Sequence, residues 1–159
     1  MRVIGVGSLL LSDEGIGVHL VQELDRRNAL PGVECIDGGV AGAGLLGLIE
    51  GQEKVVLIDA VGAPLPPGTV IRLLPGELRR SGGVKASLHD VNLADALDLM
   101  RLRESLPETM ILGIVPADVE TYRIGLSEAL AGRFEEILDK ACREIRNFFS
   151  PPGEPDEPR

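Results

Sequence analysis

The sequence predicts an α/β fold, with helices on both faces of a mostly parallel five-stranded sheet, and three observations lead there. Short apolar runs of strand length alternate along the chain with segments of helical periodicity, the pattern of β-α-β units. The two clearest runs, KVVLID at 54–59 and TMILGIV at 109–115, are almost continuously aliphatic, as strands buried on both faces must be. Hydrophobic residues make up 44% of the chain but aromatics only 3%, with no Trp, so the core has to be built from Val, Leu, Ile and Ala. A length of 159 residues suits one domain and can bury a full core without disulfides or metal staples.

Residues 2–7 (RVIGVG) form the first predicted strand, an apolar run that stops at glycine. Ser12 or Asp13 then caps a helix whose Ile16, Leu20, Val21 and Leu24 share one face. Pro31-Gly32 ends that segment. Residues 33–37 (VECID) read as the second strand, broken by Gly38-Gly39, and residues 45–49 fit one short helix between glycines. Residues 54–59 are the third strand, ending in a carboxylate. After the PLPPG loop of 64–68, the β-branched TVIRLL of 69–74 reads as an edge strand. A Gly-rich loop covers 75–85. Ser87 and Asp90 have capping-box spacing and open a helix with Val91, Ala94, Leu97 and Met100 on one face. Residues 109–115 are the last strand, closed by Pro116. A final helix over 127–149 buries Leu130, Phe134, Ile137, Leu138, Ala141 and Ile145. One domain therefore spans 1–149. The tail, 150–159 (SPPGEPDEPR), has four prolines and no apolar periodicity and is expected to be disordered.

The net charge of −9 and a pI near 4.7 repel phosphate backbones, and no Lys/Arg cluster offsets them. Nucleic acid is therefore excluded as a partner. Two cysteines, Cys35 and Cys142, are too few for a disulfide framework, and Cys35 reads as a small core residue. The apolar start of the chain soon meets Asp13 and Glu14, which fits neither a signal peptide nor a membrane span. A cytoplasmic monomer with no membrane partner is expected.

In an open α/β sheet, ligands bind beyond the carboxyl ends of the strands. Asp13 and Glu14 follow the first predicted strand, Asp37 ends the second, Asp59 ends the third, and His89 precedes the next long helix with Asp90 beside it. Asp13 in a first helical turn needs no function, because a helix N-terminus favours carboxylates. Glu14 in the same turn is less well explained. Asp59 ends a buried strand, where a carboxylate is costly unless paired. His89 taken alone reads as a helix-start residue. Taken together, two carboxylates and one imidazole at one edge make a candidate metal site, with donors that suit Ni, Zn, Mn or Fe. Other chemistries find less support. GVGSLL starts like a dinucleotide fingerprint, but Leu10 stands where the third glycine belongs. There is no phosphate loop, no G-x-S-x-G elbow and no H-E-x-x-H. His19 lies inside the first predicted helix and reads as a packing or surface residue.

On these residues the chain resembles the hydrogenase maturation proteases, which remove a C-terminal extension from the large subunit of NiFe-hydrogenases. The resemblance spans about residues 2–145. It rests on GVGSLLLSDEGIGVHLVQEL, DGGVAGAGLLGLI, VVLIDAV, PGTVIRL, SLHDVNLADAL, and GIVP followed by IGLSEAL. The D-E-G-x-G motif and the His-bearing segment are the most specific. The resemblance implies an α/β/α sandwich around a five-stranded sheet, with Glu14, Asp59 and His89 as metal ligands. It places a D-G-G turn, Asp37-Gly38-Gly39, close to the site, with Asp37 in the catalytic machinery or reading the substrate. It implies nickel as the metal, carried by the substrate, with a surrogate divalent cation able to stand in. The partner it implies is a hydrogenase large-subunit precursor. No Ser or Cys nucleophile presents itself, which favours water as the attacking group. The alternatives are a zinc-type aminopeptidase or amidohydrolase, and a non-catalytic nickel metallochaperone.

Overall fold

The computed structural model describes residues 1–40, 44–78 and 88–150, the last stretch with side chains from 93 onward. Five strands form one sheet: β1 (Arg2–Val6), β2 (Glu34–Gly39), β3 (Lys54–Ala60), β4 (Val70–Leu73) and β5 (Glu108–Ile114). Their spatial order is β2-β1-β3-β5-β4. β1 lies parallel between β2 and β3, β3 pairs in parallel with β5, and β4 runs antiparallel along β5 as the edge expected from its sequence. Side chains alternate across this sheet. Val56 and Ile58 enter one core while Val55 and Leu57 enter the other, which is why β3 reads as an unbroken aliphatic run.

Helices α1 (Ile16–Arg26), α4 (Glu128–Ala131) and α5 (Phe134–Phe149) cover one face, where Leu20, Leu24, Leu130, Ile137 and Ile145 meet the strands. Helices α2 (Gly44–Ile49) and α3 (Leu88–Leu102) cover the other, through Leu45, Ile49, Leu93, Leu97 and Met100. The result is the predicted three-layer α/β/α sandwich. Helix α1 lies directly on the sheet because its second residue is glycine. A Cβ on Gly17 would stand 2.2 Å from the Ile58 carbonyl oxygen. No helix among the described residues is long and apolar enough to cross a membrane.

Three sequence expectations need correction. The strand β2 does not stop before Gly38-Gly39 but runs through them. The ladder shifts register between Gly5 and Val6, whose partners are Asp37 and Gly39, so Gly38 is taken up as an extra residue. The final helix is two helices. Ser127 caps α4 by accepting from the Leu130 N–H, and the chain breaks at Gly132 before α5 starts at Phe134. The Arg133 guanidinium secures the break by donating to the Pro67 carbonyl at 2.6 Å and to Glu136. The break lets Leu130 enter the core while Phe134, expected inside, stays half-buried. Neither Ser12 nor Asp13 caps the first helix: no side chain caps the Ser12–Gly15 3-10 turn or α1 behind it. The predicted Ser87 cap, the Val91 side chain and residues 151–159 of the tail lie outside the described residues.

His19 sits on α1 with Nε2 buried and, among the described residues, without a hydrogen-bond partner. Desolvation lowers its pKa below the ordinary 6.5. Below pH 6.5 the unfolded chain therefore binds a proton that the folded chain refuses, so stability falls as pH drops through that value. Urea midpoints at about pH 7.5 and about pH 5.5 should show this loss. In His19→Leu the loss should be smaller than in the native chain.

Candidate active site

The chain leaves β1 through α1 to reach β2 on one side, then crosses through α2 to β3 on the other. The carboxyl ends of β1 and β3 are therefore a topological switch point, where connections diverge and leave a crevice. Beyond β1, the 3-10 turn Ser12–Gly15 brings Asp13 and Glu14 back over the sheet, and this turn packs against β3. The return is tight. Gly7 has φ +134°, and a Cβ there would stand 1.8 Å from the Glu14 carbonyl oxygen. The Gly7 N–H also donates to the Gly39 carbonyl at 2.9 Å, tying the β2 end to the same place. Gly7→Ala should therefore displace the Glu14 turn. The expected drop in Tm is about 5 °C or more, measured by thermal unfolding.

Glu14 is 7% exposed and Asp59 4%, so two carboxylates are buried at this edge, one on the turn beyond β1 and one near the end of β3. Asp59 Oδ1 accepts from the Ala60 N–H at 2.8 Å. By alternation Asp59 shares a face with Val55 and Leu57, the side that carries α3. His89 is the second residue of α3, and its side chain lies outside the described residues. Asp37 sits apart. It is exposed on the outer strand, accepting from the Gly39 N–H at 2.9 Å and from Gln22 Nε2 of α1 at 3.2 Å. It therefore belongs to the α1 side of the sheet, opposite to Asp59.

Asp13 is fully buried and has a role that sequence reading missed. Its Oδ2 accepts from the Ala117 N–H at 2.9 Å, the Asp118 N–H at 2.9 Å and the Ser127 hydroxyl at 2.8 Å, and its Oδ1 accepts from the Ser127 N–H at 2.8 Å. One carboxylate thus fastens both ends of the long connection from β5 to α4 to the turn that carries Glu14. Further along, Arg123 exchanges backbone hydrogen bonds with Leu10 and Ser12. The signal was faint: GIVP and IGLSEAL flank this connection, but periodicity does not report a partner over a hundred residues away.

The donors at this edge suit a cation. Two buried carboxylates would offer oxygen donors, and an imidazole would add a borderline nitrogen. Among the described residues, no three His, Cys, Asp or Glu side chains gather into one set. Cys35 on β2 and Cys142 on α5 stand elsewhere, half-buried against the core on the α1 side of the sheet. Burial, with a smaller contribution from Asp25, pushes the Cys35 thiol up to about 11, and burial also raises Cys142. Both thiols stay protonated and inert near neutral pH.

Comparison with known proteins bears on the family and the fold. A sequence profile for hydrogenase maturation proteases (HycI) matches residues 18–144. The chain is 36% identical over 147 residues to the hydrogenase 2 maturation protease of Escherichia coli K12, covering 91% of this chain and 89% of that protein. It is 33% identical to the hydrogenase expression/formation protein HupD of Rhodobacter capsulatus, covering 91% of this chain and 70% of that one. Its fold superposes on the hydrogenase maturating endopeptidase HybD from Escherichia coli with a TM-score of 0.77 and 31% identity, covering 92% of this chain and 91% of the other. Sequence and fold lead to one conclusion: this chain is a peptidase and belongs to the hydrogenase maturation proteases.

Proposed function

We propose that this peptidase removes the C-terminal extension of a NiFe-hydrogenase large-subunit precursor after nickel has been inserted. The observation that supports the reading is the pair of buried carboxylates at the switch point, Glu14 on the turn beyond β1 and Asp59 near the end of β3. Nickel belongs to the substrate in this account. It arrives inside the precursor, and Glu14, Asp59 and His89 bind it as oxygen and nitrogen donors. A three-ligand set leaves positions open, as befits an ion already held by another protein. Reading the ion before cutting prevents cleavage of an unloaded subunit. An isolated protease would hold a surrogate divalent cation weakly.

Water is the attacking group in this scheme, since both cysteine thiols are kept protonated by burial and stand away from the crevice. Asp37, exposed on β2 and bonded to Gln22 and Gly39, meets the precursor chain rather than the ion. The working form is a cytoplasmic monomer. The reading is tested by incubating the protein with a nickel-loaded precursor and following the precursor mass. Release of one C-terminal peptide, with small amino-acid amides left intact, is the expected result. Hydrolysis of the amides with the precursor left whole would replace it with an aminopeptidase. Cleavage of neither would leave a metal carrier.

A further inference from the structure

The chain has one tyrosine, and it is spent on the surface. Tyr122 is 87% exposed and Ile124, two residues on, is 79% exposed. They lie on the 116–127 connection that Asp13 fastens beside Glu14. Leu10, 60% exposed, joins them: its carbonyl accepts from the Arg123 N–H at 3.0 Å, and Leu11 forms an isolated parallel bridge with Arg123. Val40 and Leu65 are exposed in the connections after β2 and β3, so each of the loops leaving β1, β2, β3 and β5 shows an apolar side chain at the carboxyl edge.

Scattered apolar side chains on a surface need no explanation, but a contiguous set does. Here Leu10 and the 122–124 segment are held together by backbone hydrogen bonds rather than by chance proximity. The segment is fastened at both ends by a buried carboxylate, so its apolar side chains are presented rather than left on a loose loop. Tyr is also the residue type that supplies much contact area at low entropic cost, and it is enriched where proteins bind proteins.

We infer that Leu10, Tyr122 and Ile124 form the docking surface for an apolar patch of the precursor protein beside the bond to be cut. This rests on the peptidase function proposed above. The occupant follows from continuity. The surface adjoins the turn of Glu14, and a polypeptide seated for cleavage at that edge has to lie against it. A second copy of this chain on the same surface would cover the edge and bar the substrate.

The experiment compares the native chain with Tyr122→Ser, Ile124→Ser and the double variant, using a nickel-loaded precursor. These side chains are exposed, so the fold should be unchanged. Leu102→Ser is the control: Leu102 is 83% exposed but ends α3, at the opposite edge where β5 begins. Direct binding to the precursor is measured on the same set. The double variant should raise KM and Kd by about tenfold or more while kcat stays within about twofold, and Leu102→Ser should change neither. An unchanged Kd in the double variant would overturn the inference, as would a loss confined to kcat. Dimers of the native chain that dissociate in the double variant, with KM unaltered, would give the surface to a second copy and also overturn it. Failure of the native chain to cleave would instead count against the proposed function, and the binding measurement would still decide the docking surface.

Discussion

Glu14→Gln, Asp59→Asn and His89→Ala are each expected to abolish precursor processing, lowering the rate by at least about 100-fold. The reason is the sparseness of the proposed ligand set. With three donors, loss of one leaves too few to hold an ion that the substrate already coordinates. The amide replacements keep size and shape while removing charge. Glu14 and Asp59 are buried carboxylates, so neutralising them should leave stability unchanged or raised, as is common where a site trades stability for function. Rate of cleavage and urea midpoint, measured on the same preparations, separate the two effects. Full activity in any two of the three variants would remove the assignment. Asp37→Ala is expected to weaken processing less, since that carboxylate is exposed and bonded to Gln22 and Gly39.

Asp13→Asn is expected to act in the opposite way, by unfastening structure. Both carboxylate oxygens of Asp13 accept, and all their partners are donors: three backbone N–H groups and the Ser127 hydroxyl. Asparagine offers one oxygen, and its NH2 group would face donors. Either the amide turns its nitrogen toward Ala117, Asp118 and the Ser127 hydroxyl, or toward the Ser127 N–H, and part-buried donors lose their acceptor. Leaving such groups unsatisfied costs about 1–3 kcal/mol each, so a total near 3 kcal/mol is expected. For a chain of this size that lowers Tm by about 10 °C. Processing should fall with it, because the 116–127 connection would no longer be held beside Glu14. A thermal melt within about 2 °C of the native chain would show that the carboxylate is not the fastener.

The fold was legible because its signals are local. KVVLID at 54–59 is buried on both faces, so its apolar run carries no gap, and the strand is found where the run lies. TVIRLL is interrupted by Arg72 because β4 is an edge, and that side chain is exposed. What escaped was set by long-range geometry. Gly38-Gly39 look like a terminator, but the bulge opposite β1 absorbs them. The stripe from Leu130 to Ile145 looks like one helix, since a break after Gly132 shifts the phase without spoiling the apolar pattern. The candidate site was legible in part for a related reason. Carboxylates that end apolar runs mark the carboxyl edge of a parallel sheet, so Glu14 and Asp59 could be placed from the sequence. The job of Asp13 could not, because its partners Ala117, Asp118 and Ser127 are brought to it only by the complete fold.

The proposed reading of nickel in the substrate before cutting has one direct test. The direct measurement strips the protease with chelator, removes the chelator, and offers precursor with and without nickel, following the mass of each. Cleavage of the nickel-loaded precursor alone, with no metal added to the protease, is the predicted result. Cleavage of nickel-free precursor after zinc is added to the protease would contradict it, because the working ion would then belong to the enzyme.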